Sequence, residues 1–231
     1  MKRIAIALLV TFISFISYAQ PIKGLLGAKA IEYSDEKELP YEAEVAYIGC
    51  DGGQYIDTGV DIFGAFSFDY DVCGSSLYPV AEQRIFSTEG TSPTYDLYLL
   101  NSTKYQCRPS NINVVVEAGD VIRGLYQDGI VRLYVNGEIK AQKAIAFTPV
   151  ASHKTLYLMC RANNIASIFR LKGRFYYAIL AIDGTRIRDM VPVRFRNEQG
   201  ISEGAMFDKV TGQLFRNQGT GSFSIGPDVR R

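Results

Sequence analysis

From Pro40 onward, apolar and polar residues trade places every second position. Tyr41, Ala43, Val45 and Tyr47 alternate with Glu42, Glu44 and Ala46, as a half-buried strand requires. The beat returns where Phe66, Phe68 and Tyr70 oppose Ser67, Asp69 and Asp71, and again where Val131, Leu133 and Val135 oppose Arg132, Tyr134 and Asn136. Further strands are predicted over 84–87, 95–100, 121–126, 155–160 and 169–182, and Val114-Val115-Val116 reads as a buried run. Asp128-Gly129 and Asn136-Gly137 are hairpin signals, because a type I′ turn needs two positive-φ residues. Asp183-Gly184 turns the chain once more. The stretch from Asp208 to Gly212 caps a last hairpin, and 222–225 forms a closing strand. Short strands with turns every eight to twelve residues predict an all-β, two-sheet antiparallel sandwich.

The first nineteen residues follow a different rule. Lys2 and Arg3 precede an apolar run over 4–16, and Ser17-Tyr18-Ala19 offers small residues for cleavage. This is the pattern of a signal peptide. Residues 20–38 read as a leader, 39–226 as the sandwich and 227–231 as a tail. The expected destination is the periplasm, the cell surface or the medium. Loss of Lys2 and Arg3 would turn the formal charge of +1 into −1. That balance argues against a nucleic-acid partner, which calls for a strong basic patch. Cys50, Cys73, Cys107 and Cys160 are far apart in sequence. Export would permit disulfides, with three pairings open. Four buried thiols are the other reading.

Several stretches carry a family likeness. Leu39-Pro40 is followed by Val45-Ala46-Tyr47-Ile48 and Gly53-Gln54-Tyr55-Ile56-Asp57-Thr58-Gly59. Leu171-Lys172-Gly173-Arg174-Phe175-Tyr176-Tyr177 and Arg188-Asp189-Met190-Val191-Pro192 come later. Met206-Phe207-Asp208-Lys209, Phe215 and Asn217-Gln218-Gly219-Thr220-Gly221 close the series. In this order they resemble the laminin-G-like (LamG, pentraxin-like) branch of the concanavalin A-like lectin/glucanase superfamily. The resemblance implies a jelly-roll sandwich whose concave face or rim loops bind ligand. It covers lectins, hydrolases and adhesion modules alike, so function must come from the site.

Hydrolases of that superfamily carry Glu-x-Asp-x-x-Glu or Glu-x-Asp-x-Glu on one strand. Here the nearest sets are Asp69 with Asp71, and Glu42 with Glu44, each without a third acid in register. No catalytic residue is therefore expected. His153 is the only histidine and reads as a loop residue without a role. The resemblance also implies that calcium could bind at the sandwich edge, with Asp96, Asn101, Asn163 and Asn164 as donors; no other cofactor is expected. Calcium asks for six to eight hard oxygens. For sugar, a flat aromatic ring beside planar polar groups is the natural partner. With fifteen Tyr and no Trp, Tyr95, Tyr98, Tyr105 and Arg108 are the expected ligand-binding set. Tyr134 shares a strand with Arg132, and Tyr176 and Tyr177 are expected on opposite sides of theirs. The expected function is a non-catalytic module binding a glycan or another extracellular surface. The alternatives are an adhesion module recognising protein and a glycoside hydrolase.

Overall fold

The period-two segments pair into two antiparallel sheets in the computed structural model, which describes residues 39–77, 82–88, 93–101, 103–153, 155–161 and 170–229. In chain order the strands are β1 (Ala43–Glu44), β2 (Ile48–Asp51), β3 (Ile56–Asp61), β4 (Phe68–Ser76), β5 (Arg84–Ser87) and β6 (Asp96–Asn101). Then come β7 (Lys104–Arg108), β8 (Ile112–Val115), β9 (Val121–Gln127), β10 (Ile130–Val135), β11 (Glu138–Ala144) and β12 (Thr155–Leu158). The last are β13 (Lys172–Ile182), β14 (Thr185–Arg196), β15 (Ser202–Asp208), β16 (Gln213–Phe215) and β17 (Ser224–Ile225). The larger sheet runs β11-β10-β9-β4-β13-β14-β15-β16, with β1 on β14 and β2 between β13 and β17. The smaller runs β3-β12-β5-β6-β7-β8. No described residue is helical.

The core lies between the sheets. Phe68, Tyr70, Val72, Ile122 and Tyr126 of the larger sheet meet Ile85, Phe86, Tyr95, Leu97 and Leu156 of the smaller. The Tyr70 and Phe86 ring centres are 4.6 Å apart, and the Phe68 and Tyr95 rings meet edge to face at 5.8 Å. Each such fully buried side chain contributes about 1.5–3 kcal/mol. Gly124 is glycine for a packing reason: a Cβ there would lie 2.9 Å from a Leu97 methyl. The expected hairpin turns form as read, with positive φ at Asp128, Gly129, Asn136 and Gly137.

Distant parts of the chain meet in the larger sheet. Ile48 pairs with both Phe175 and Ile225, so β2 sits between a middle and a terminal strand. The 53–59 and 217–221 motifs interlock: Thr220 N–H donates to Gly53 O (2.9 Å), and Asp57 N–H donates to Gln218 Oε1 (2.9 Å). Ordered pairing continues past 226, where Asp228 bridges to Val45.

Other expectations are corrected. Phe66 is not on a strand face but 87% exposed in the loop before β4. The Val114–Val116 run is not buried throughout, since Val115 points out and is 70% exposed. All four cysteines are free and buried, so no disulfide forms. Cys50 and Cys107 pack in the core, with the Cys50 and Met159 sulfurs 3.0 Å apart. The signal peptide over 1–19 and the leader over 20–38 lie outside the described residues. No helix among the described residues is long and apolar enough to cross a membrane.

Candidate functional site

The outer face of the larger sheet carries a shallow groove. Because strands alternate sides, Asp69, Asp71 and Cys73 of β4 point away from the core that holds Phe68, Tyr70 and Val72. The ladder then sets one row across five strands: Arg132, Leu125, Asp71, Ile179 and Asp189. A second row holds Tyr134, Arg123, Cys73 and Tyr177. At a strand spacing of about 4.8 Å, the first row spans roughly 19 Å. Its central depression has a volume of about 690 Å³ and is lined by Asp71, Arg123, Tyr176, Tyr177, Ile179 and Asp189, among others.

A fixed polar network forms the floor. Arg123 donates through Nε and a terminal nitrogen to the two oxygens of Asp71, both at 2.7 Å. Tyr177 donates its hydroxyl to Asp71 Oδ1 at 3.0 Å. The Arg123 guanidinium lies 4.8 Å from the centre of the Tyr134 ring. Charge-assisted bonds in a fork geometry are strong and directional. The Asp71 carboxylate holds Arg123 even more firmly protonated than usual. Burial, followed by the Asp71 charge, pushes the Tyr177 phenol up, so its proton stays on. Asp69, farther along β4, has its carboxyl pushed up by burial and then by the nearby Asp128.

Tyr176 and Tyr177 both line this depression, which corrects the expectation that only one could face a ligand. The β13–β4 register shifts between Phe175 and Tyr177. A bulge places two residues opposite one and so breaks strict alternation. The hairpin strand had been singled out for Tyr134 and Arg132, whereas Arg123 and Asp71 as partners were missed. Opposite charges on separate strands become visible only once register is known.

The residues expected to hold sugar are elsewhere. Tyr95 and Tyr105 are fully buried in the core and cannot stack on a ligand. The Tyr95 hydroxyl donates to Thr148 O at 3.0 Å. Tyr98 is 7% exposed and lies between Arg84 and Arg108, whose guanidinium carbons are 4.0 and 4.9 Å from its ring centre; its hydroxyl donates to Gln106 Oε1. Arg108 bonds Asp96 through Nε at 2.8 Å. The set is therefore corrected as a ligand platform: its rings fill the core or are closed off by their own arginines.

The calcium donors do not assemble either. Asp96 is fully buried and engaged by Arg84 and Arg108, which disfavour a cation beside it. Asn101 Oδ1 accepts from Thr103 within its own turn. Asn163 and Asn164 lie outside the described residues, among which no cluster of metal-binding acids, cysteines or histidines forms. His153 has a partner after all, with Nδ1 2.7 Å from Asp61 Oδ2. Glu42 is held by Arg194 and Arg196, and Glu44 by Lys209, so that pair belongs to surface ion pairs.

With this geometry in hand, known proteins can be compared. No family model and no curated protein matches the chain. Among solved structures, a candidate carbohydrate-binding protein from Bacteroides ovatus superposes with a TM-score of 0.50 at 14% identity, over 80% of this chain. The fold is a two-sheet antiparallel jelly-roll sandwich of the concanavalin A-like kind. The chain spans 60% of the length of that Bacteroides protein. Weaker matches are a heptameric pentraxin from Limulus polyphemus (TM-score 0.37, 11% identity, 62% of this chain and 76% of that one) and domains LG4–5 of mouse laminin α1 (0.39, 8%, 81% and 79%).

Proposed function

We propose that this concanavalin A-like chain is an exported, non-catalytic module that binds a glycan in the groove above β4, β9, β13 and β14. The observation that carries the reading is the Asp71–Arg123–Tyr177 network. It fixes planar donors and acceptors on an open floor, with the Tyr134 and Tyr176 rings beside it. A sugar has an apolar face and a rim of hydroxyls, and such a surface answers both. The Bacteroides protein of the same fold is described as carbohydrate-binding, in keeping with this reading.

The groove acids favour binding over hydrolysis. Cys73 stands two residues past Asp71, where a hydrolase of this fold would present an acid. Asp71 is held by Arg123, and Asp189 by Arg186 at 2.9 Å. Asp71 and Asp189 are two strands apart, roughly 9.6 Å by ladder spacing. That is too far for a retaining pair and at the upper end of the range of about 6.5–9.5 Å for an inverting one, so what disfavours hydrolysis is the arginine that holds each acid.

Calorimetric titration of residues 20–231 with a panel of soluble polysaccharides tests the reading. Saturable binding that Asp71→Ala and Tyr177→Phe weaken is expected, with no reducing ends released. Absence of saturable binding to any of them would remove the proposal, and released ends would turn it toward the hydrolase. A second reading rests on Phe66 and Phe63, 87% and 46% exposed. Such rings suit a module that docks protein, and crosslinking lost on Phe66→Ser would favour it.

A further inference from the structure

One arginine of the conspicuous 171–177 motif has no role in the groove network. Arg174 lies on the outer face of β13, paired in register with Gly49, which in turn pairs with Ser224 of β17. Its guanidinium carbon sits 4.4 Å from the centre of the Tyr47 ring. Tyr47 is itself braced edge-on by Tyr176, at 6.1 Å. Arg123, Arg186 and Arg188 each face an aspartate. Arg174 has no ion pair or hydrogen bond among the described residues, yet stacking holds it in place.

Beside it opens a cleft of about 240 Å³, lined by Tyr47, Gly49, Asp51, Arg174, Ser222 and Ser224, among others. Ser222 and Ser224 are two apart and line it together. Gly49 leaves room for the Ser224 hydroxyl, since a Cβ there would lie 2.1 Å from Ser224 Oγ. The cleft also holds an acid at its edge: Asp51 Oδ1 accepts from Gly53 N–H at 2.9 Å, and Lys172 pairs with Asp51 across the ladder. Tyr176 lines the groove and touches Tyr47 of the cleft, so the two depressions share an aromatic wall.

The geometry points to an oxyanion subsite, in which Arg174 with Ser222 and Ser224 takes a carboxylate or sulfate carried by the saccharide that the groove holds. This inference rests on the glycan reading above and narrows it to acidic glycans. A guanidinium presents a planar fork of donors that matches either anion, and stacking on Tyr47 fixes its plane before the ligand arrives. Serine hydroxyls can donate to the remaining oxygens.

The test compares oligogalacturonate with its methyl ester, which has the same backbone without the charge, and with a sulfated galactose oligomer. Wild-type residues 20–231 are expected to bind at least one charged oligomer about tenfold more tightly than the ester. That oligomer should move the Gly49 and Ser224 amide resonances, and which one does so separates carboxylate from sulfate. Arg174→Ala should erase the preference while leaving ester binding unchanged, and Arg174→Lys should retain part of it. Ester binding without any preference, or a preference that survives Arg174→Ala, overturns the subsite and leaves the groove standing. If wild type binds none of the three while another polysaccharide of the panel binds, the subsite falls and the groove stands; if nothing in the panel binds either, both readings fall.

Discussion

Two places in this molecule hold the same three side-chain types, and they differ in what water can reach. On the smaller sheet, Asp96 is gripped by Arg84 and Arg108, and Tyr98 lies between the two guanidinia. On the larger sheet, Asp71 is gripped by Arg123 and Tyr177, with Tyr134 over the arginine. The Asp96 and Arg84 side chains are 0% and 3% exposed, whereas those of Asp71 and Arg123 are 17% and 36% exposed. An Asp–Arg–Tyr cluster is therefore no sign of a binding site by itself. Closed over, it is an internal fastening whose worth is stability. Left open, the same bonds hold donors in place for a ligand.

That contrast is sharpest under mutation. Asp96→Ala strands the buried Arg84 guanidinium and frees the half-buried Arg108, and the loss of one partner from a buried pair costs about 3–5 kcal/mol. Urea unfolding should show a midpoint shift of that size; a change below about 1 kcal/mol would mean the site is wetter than its burial indicates. Asp71→Ala should cost less, about 1–2 kcal/mol, because water can solvate the freed Arg123. Its larger effect should be on saccharide affinity. If Asp71→Ala destabilises as much as Asp96→Ala, the groove is another fastening and not a site.

The cysteines extend the comparison to covalent chemistry. Burial pushes the Cys73 thiol of the groove up to about 12, with the Asp71 charge adding to it, and burial does the same to Cys107 and Cys160. Native protein at pH 8 should thus resist iodoacetamide at every thiol, since the thiolate is the reacting form. Denatured but unreduced protein should take up four labels. Fewer than four would restore a disulfide.

The smallest expected effect is on pH dependence. Burial, then Asp128, raises the Asp69 carboxyl above its usual value. The folded chain therefore holds that proton to a higher pH than the unfolded chain does. Its contribution is most favourable below the ordinary carboxylate range and diminishes as pH climbs through the raised value. Asp69→Asn should flatten this part of the stability profile, as read by thermal melts between pH 3 and 7.

How much of this was legible depended on how local the signal was. Alternation and Asp-Gly or Asn-Gly pairs act within a few residues, so the strands, the hairpins after Gln127 and Val135, and the all-β class could be read directly. The 53–59 and 217–221 stretches stood out in the sequence only through their family likeness; that they interlock, with Tyr55 and Asp57 N–H donating to the Asn217 and Gln218 side chains, is seen in the structure. Tyr95, Tyr98 and Tyr105 misled because a tyrosine ring suits a core as well as a ligand. What separates the two fates is whether the opposite sheet or solvent covers the face.

The chain itself determined which residues alternate and where it must turn, since period and φ preference are properties of short segments. Tertiary structure decided which tyrosines see water, that Arg123 meets Asp71 across 52 residues, and that a bulge turns Tyr176 and Tyr177 into one depression. Those outcomes follow from register and from which sheet face is covered. Both are set by the packing of strands remote in sequence, and no local pattern encodes them.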